Sequence, residues 1–354
     1  MAATYILGSI NQSRGPAFEL EPGDHHGALA RLQSPMPSIT NFVYPHLTWS
    51  TLWFTLLCVF VVFNLKNLPF MWHMRILNAF RFTLRTQRSP IPLSSAHIFQ
   101  PIITTSTAQL MEIDFNIHKT NSSYFSDIDV SRAHLTCTLF AKGIEQMRGG
   151  TGAYTGSGKP LFGLALGAVS CHFKRELLPY EEYEMWSKIL TWDEKWIYIV
   201  THFVRKGAAS PKSYSLYPEQ SPGHDGESSG SSSDIRGTDS KPGEQIIATA
   251  LSKCVFKSGR KTISPELMLH ISGLLPDSDD SKAEMQGMTR QEVEGQRIKG
   301  LQLVQLFSEQ QPSLDAEFGG TDCEALARHN DGAGISGVVS TLMQLAHLKR
   351  TQAL

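Results

Sequence analysis

The longest uncharged run in the chain extends from Leu47 to Leu65 (LTWSTLWFTLLCVFVVFNL). About 20 consecutive apolar residues cross the hydrocarbon core of a bilayer as a helix, so this run predicts a transmembrane helix. Trp49 and Trp53 stand at one end, where indoles favour the interface. Further on, Met111, Ile113, Phe115 and Ile117 alternate with Glu112, Asp114 and Asn116, which predicts a strand over 109–117. From Val130 to Met147 the apolar positions Ala133, Cys137, Phe140, Ile144 and Met147 recur at spacings of three and four, with Leu135 and Leu139 as a second edge. That pattern predicts one buried helix ended by Gly149-Gly150. Leu161 to Phe173 is apolar and small, as in a central strand covered on both faces. Tyr183–Trp192 and Trp196–Val204 flank Asp193-Glu194-Lys195 as a hairpin, and 244–257 is one more strand.

Strand, long buried helix, then several antiparallel strands define an α+β class in which the sheet wraps the helix. The divisions are an N-terminal tail (1–46), the transmembrane helix (47–65), a basic juxtamembrane segment (66–92), the folded domain (93–275) and a polar C-terminal extension (276–354). Within the domain, 209–243 is rich in Ser, Gly, Pro and Asp and reads as a disordered insertion. The extension holds helices near 289–310 and 335–348 with no visible chemistry.

Charge sets the orientation. Lys66, Arg75, Arg81, Arg85 and Arg88 follow the apolar run, whereas Glu19, Glu21 and Asp24 precede it, so the folded domain faces the cytoplasm. The endoplasmic reticulum is one membrane that fits. The segment 69–88 reads equally as an amphipathic collar on the membrane or as a connecting helix. A net charge of −1 gives no basic field for nucleic acid, and no nucleic-acid partner is expected. Five widely spaced cysteines form no CxxC pair and read as reduced thiols. There is no HExxH and no paired-cysteine site, so no metal is expected, and no cofactor is expected either. Gly149 to Lys159 departs from a phosphate loop, because Ala153 stands five before Gly158 and Pro160 follows the lysine.

The run Tyr124-Phe125-Ser126-Asp127-Ile128-Asp129-Val130-Ser131-Arg132 resembles the S-D-L-D element of the hot-dog 4-hydroxybenzoyl-CoA-thioesterase-like superfamily. Phe173 to Glu181, Thr191 to Tyr198 and Trp72 to Arg75 resemble a membrane-anchored branch that includes fungal secondary-metabolite-cluster thioesterases and an animal thioesterase group. The resemblance implies a hot-dog fold, a homodimer, and hydrolysis of an acyl-CoA or acyl-carrier-protein thioester against the amino end of the buried helix. It carries the catalytic carboxylate to Asp129 or Asp127. Each acid has a second reading as a helix cap. Relatives carry H-x-N-N after the acids; here Ser131 to Leu135 lacks the asparagines, and His134 is displaced by about one position. That departure leaves two expectations: a thioesterase using Asp129, Asp127 and His134, or a non-catalytic membrane-tethered acyl binder or scaffold.

Overall fold

The computed structural model describes residues 48–80, 88–148, 162–220, 245–275, 287–316 and 334–352. The chain divides into two compact units, Met1–Val62 and Phe63–Leu354. In the first, the described residues form most of helix α1 (Trp49–Phe63), in which no side chain is buried. At 15 residues α1 is about 22 Å long, against about 30 Å of bilayer hydrocarbon. The transmembrane helix expected over 47–65 is therefore corrected: among the described residues no helix is long and apolar enough to cross a membrane.

The second unit opens with a short turn at Leu65–Asn67 and helix α2 (Met71–Asn78), followed by strand β1 (Ile102–Thr107). The strand expected over 109–117 is not there. Leu110–Glu112 form a 3-10 turn, and Met111, Phe115 and Ile117 are exposed. Their alternation does not mark a buried face; the chain turns about Asp114 instead.

Helix α3 (Asn121–Leu139) starts nine residues earlier than its apolar spacing predicts, and α4 (Ala141–Met147) continues after a break at Phe140. In the first three turns of α3, Asp127 and Ser131 meet buried polar partners and interrupt the apolar spacing of Tyr124 and Ile128. Next come β2 (Phe162–Phe173), β3 (Glu182–Trp192), β4 (Ile197–Arg205), β5 (Ile246–Ser258), β6 (Lys261–Ile263) and α5 (Pro265–Ile271). Helices α6 (Arg290–Ala316) and α7 (Gly334–Gln352) end the chain. The Gly149–Lys159 loop and most of the 209–243 insertion lie outside the described residues.

The sheet is antiparallel throughout, in the order β1-β3-β4-β5-β2, with β6 pairing β5. β2 is thus an edge strand, not the central strand its apolar run suggests, and much of it is exposed. One sheet face meets α3. On β3 it carries Met185, Ser187 and Ile189, opposite Phe203, Thr201 and Ile199 of β4. A hydrogen-bonded row of hydroxyls crosses this interface: Thr104 to Ser131 (2.9 Å), Ser131 to Ser187 (2.8 Å) and Ser187 to Thr201 (2.7 Å). It separates two apolar clusters. One is built on Tyr124, Ile128, Met185 and Phe203, the other on Leu135, Leu139, Ile189 and Phe256. A long helix held in an antiparallel sheet is the hot-dog arrangement.

Candidate functional site

The first turn of a helix leaves backbone N–H groups without intrahelical partners. No side chain caps α3 at Thr120, and in its first turn the Ser123 N–H donates to the Thr120 carbonyl (3.1 Å). The chain reaches it through a tight turn between Ile113 and Lys119, which pair as an antiparallel bridge. Inside the turn Asp114 N–H donates to the His118 carbonyl (2.9 Å). The Asp114 carboxylate accepts from the amides of Asn116 (2.8 Å) and His118 (3.3 Å). Ile117 adopts φ 64, a left-handed conformation unusual for a β-branched residue. Phe115 and Ile117 project into solvent, while Asp114 and His118 are half-buried at the base. His118 Nε2 lies 3.7 Å from Glu176 Oε1.

A buried charge cluster clamps both ends of this turn. Thr120 N–H donates to the Glu112 carbonyl (2.7 Å), and Lys119 N–H to the Leu177 carbonyl (2.8 Å). Lys119 Nζ sits 3.0 Å from Glu112 and 3.0 Å from Asp127. Lys66 Nζ reaches the same carboxylates at 2.9 and 3.0 Å, and Arg75 Nη2 meets Asp127 at 2.8 Å. The Tyr183 hydroxyl also donates to Asp127. Burial alone would raise the Asp127 pKa, but Lys66, Lys119, Arg75 and the Tyr183 hydroxyl outweigh it and hold it well below the usual carboxylate range. Burial lowers Lys66, with Asp127 offsetting part of that effect.

The three residues singled out in the sequence do not converge. Asp127 and Asp129 lie inside α3, so neither caps its start, and that expectation is corrected. Asp127 is fully buried under its three cations. Asp129 is a third exposed and pairs with Arg132, whose other nitrogen lies 3.5 Å from Ser252 on β5. His134 stands thirteen residues beyond Asn121, about 20 Å along the helix. It lines a separate cleft of ≈ 690 Å³ with Thr104, Thr105 and Thr138. Burial lowers its pKa, and Arg75 lowers it further.

Asp114, His118 and the open amides were missed because the helix start was placed too late. The signal was present. His118-Lys119-Thr120-Asn121 differs from H-x-N-N at one position, and it stands at the true start of the helix, before the two acids instead of after them. The thiols remain core residues: burial pushes Cys137 up to about 12 and Cys254 up to about 11, which disfavours a nucleophilic thiolate.

Comparison with known proteins agrees with this architecture. The family model described as "Thioesterase-like superfamily" matches residues 108–267. The probable thioesterase atnL of Emericella nidulans is 31% identical over 85% of this chain and 99% of its own. The thioesterase poxG of Penicillium oxalicum is 34% identical over 72% of this chain and 83% of its own. Among solved structures, the probable thioesterase YbaW of Escherichia coli aligns at TM-score 0.31 and 11% identity, covering 49% of this chain and 97% of that one. With two fungal relatives above 30% identity and aligned over most of their length, the chain belongs to the thioesterase-like superfamily.

Proposed function

We propose that this chain hydrolyses acyl thioesters at the amino end of α3. The carbonyl oxygen of the thioester accepts hydrogen bonds from the uncapped amides at the start of the helix, where negative charge develops in the transition state. Asp114, in the turn just before, takes a proton from water as the water attacks the carbonyl carbon. Collapse of the tetrahedral intermediate breaks the carbon–sulfur bond, and the proton passes to the leaving thiolate. The free acid and the thiol of coenzyme A or a carrier protein depart. The observation that carries this reading is an uncapped helix start with a half-buried carboxylate held in the preceding turn.

A second reading places the carboxylate at Asp129. It is favoured by that residue's partial exposure on the side of α3 that faces β5. Asp114→Asn and Asp129→Asn separate the two in a coupled assay for released thiol. On the first reading Asp114→Asn lowers kcat by about 10²–10⁴-fold and Asp129→Asn by far less. Full activity in Asp114→Asn with loss in Asp129→Asn would move the chemistry to the flank of the helix.

The acyl groups of fungal secondary metabolism, polyketide-type chains among them, are the substrates this reading favours, given relatives such as atnL and poxG. Two chains pair through β2, whose twelve residues leave one edge without a neighbouring strand among the described residues. The apolar α1, with no buried side chain, holds the chain at a membrane.

A further inference from the structure

We infer that the folded unit seats one particular face, the one surrounding the amino end of α3, directly on a lipid bilayer. The inference rests on the proposed attachment through α1.

The face is apolar and contiguous. Leu65, Leu110, Met111, Phe115, Ile117 and Tyr180 are all exposed on it, Phe115 completely. Hydrogen bonds join their segments. Met111 N–H donates to Asn64 Oδ1 (2.9 Å), Lys66 N–H to Gln109 Oε1 (2.9 Å) and Tyr180 N–H to the Ala108 carbonyl (2.6 Å). The Phe63 and Tyr180 rings meet edge-on at 5.9 Å. Side chains this large rarely stay together in water without a partner.

Chain length identifies the partner. α1 is apolar on every side with no buried side chain, a pattern that calls for hydrocarbon around it. It ends at Phe63, and only three residues later Lys66 is fixed in the buried cluster with Glu112 and Asp127. Three residues span at most about 10 Å. The medium that receives α1 is therefore within that reach of Leu65, Leu110 and Met111, and no linker allows the folded unit to float away. Lys66, the first charge after the apolar run, is turned inward instead of toward headgroups, so the bare rim at this point is apolar. The Asp114 turn, with exposed Phe115 and Ile117, lies within this face, which puts the proposed site at the lipid surface.

The test uses the full chain with phosphatidylcholine vesicles. In a background with Cys58, Cys171 and Cys323 changed to Ser, Phe115→Cys carries a nitrobenzoxadiazole label, and Glu194→Cys in the β3–β4 turn carries the control label. The chain is expected to float with the vesicles. Nitroxide-bearing lipids should then quench most of the fluorescence at position 115 and little at 194. A floating chain with both labels equally unquenched overturns the seated face and leaves the attachment through α1 standing. A chain that does not float removes the attachment and the face with it. A label at 115 that is shielded before vesicles are added, and released on dilution, assigns the face to a second copy and overturns the proposal.

Discussion

At the scale of single residues, the most constrained side chain is Asp127. It is fully buried and faces Lys66, Lys119 and Arg75 at 3.0, 3.0 and 2.8 Å. The charges belong to segments far apart in sequence, so Asp127 ties the chain leaving α1, the Asp114 turn and α3 into one body. Asp127→Asn keeps the shape and removes the counter-charge. Leaving buried cations uncompensated costs about 3–5 kcal/mol, and a lower denaturant midpoint in detergent is the expected result. An unchanged midpoint would mean that the cations find other partners. Ile117 makes the opposite prediction. A β-branched residue at φ 64 is strained, and Ile117→Gly relieves that strain by about 1–2 kcal/mol, raising the midpoint. Neither effect is readable from sequence. Asp127 looks like one more acid in a polar run, and only the fold brings Lys66, 61 residues away in sequence, to meet it.

At the scale of elements, legibility followed whether an element's neighbours are apolar. β3 alternates because one face is buried against α3 and the other is partly covered, β4 is buried on both faces, and the spans of β3, β4 and β5 fall close to the sequence reading. The first half of α3 failed that reading because polar Asp127 and Ser131 are buried among Tyr124, Ile128 and Val130, satisfied by ions and hydroxyls, and they break the apolar spacing. The site was lost with it, since the site is defined by where that helix begins. β2 was misplaced for a related reason. An apolar run looks the same at an edge as at the centre, and only pairing distinguishes them. Helix α6 shows how closely an element can depend on one position. A Cβ on Gly300 would lie 2.5 Å from the Leu190 carbonyl and 2.6 Å from Thr191 Cβ, both on β3. Those are backbone-fixed neighbours that cannot move aside. Gly300→Ala should lift α6 off the sheet and expose Val293 and Val304. Limited proteolysis checks this: faster cleavage between 287 and 316 is expected, with the rest of the chain intact.

At the scale of the whole molecule, acid sensitivity follows from where the histidines sit. Burial lowers the pKa of His97, His134 and His202; a backbone contact at Ser94 partly offsets it for the first, while Arg75 reinforces it for the second, and Lys188 and Lys174 for the third. In the folded chain these rings stay neutral to lower pH than in the unfolded chain. Between the folded values and the ordinary value near 6.5, the unfolded state binds more protons, so stability rises with pH and falls as pH drops through that window. Asp127 adds a second loss further down. Its pKa is depressed, so its contribution persists above the ordinary carboxylate value and fades only as pH falls well below it. The three histidines lie on different elements, His97 in the 3-10 turn Ser95–His97, His134 on α3 and His202 on β4, so no local rearrangement relieves all of them at once. The denaturant midpoint should therefore decline steadily from about pH 7.5 to about pH 5, before carboxylates titrate. Replacing His134 and His202 together by Gln should flatten that slope without altering the steeper loss at lower pH. A midpoint that is level across the same range would show that the rings take up protons in the folded state as readily as in water, and would remove burial as the cause.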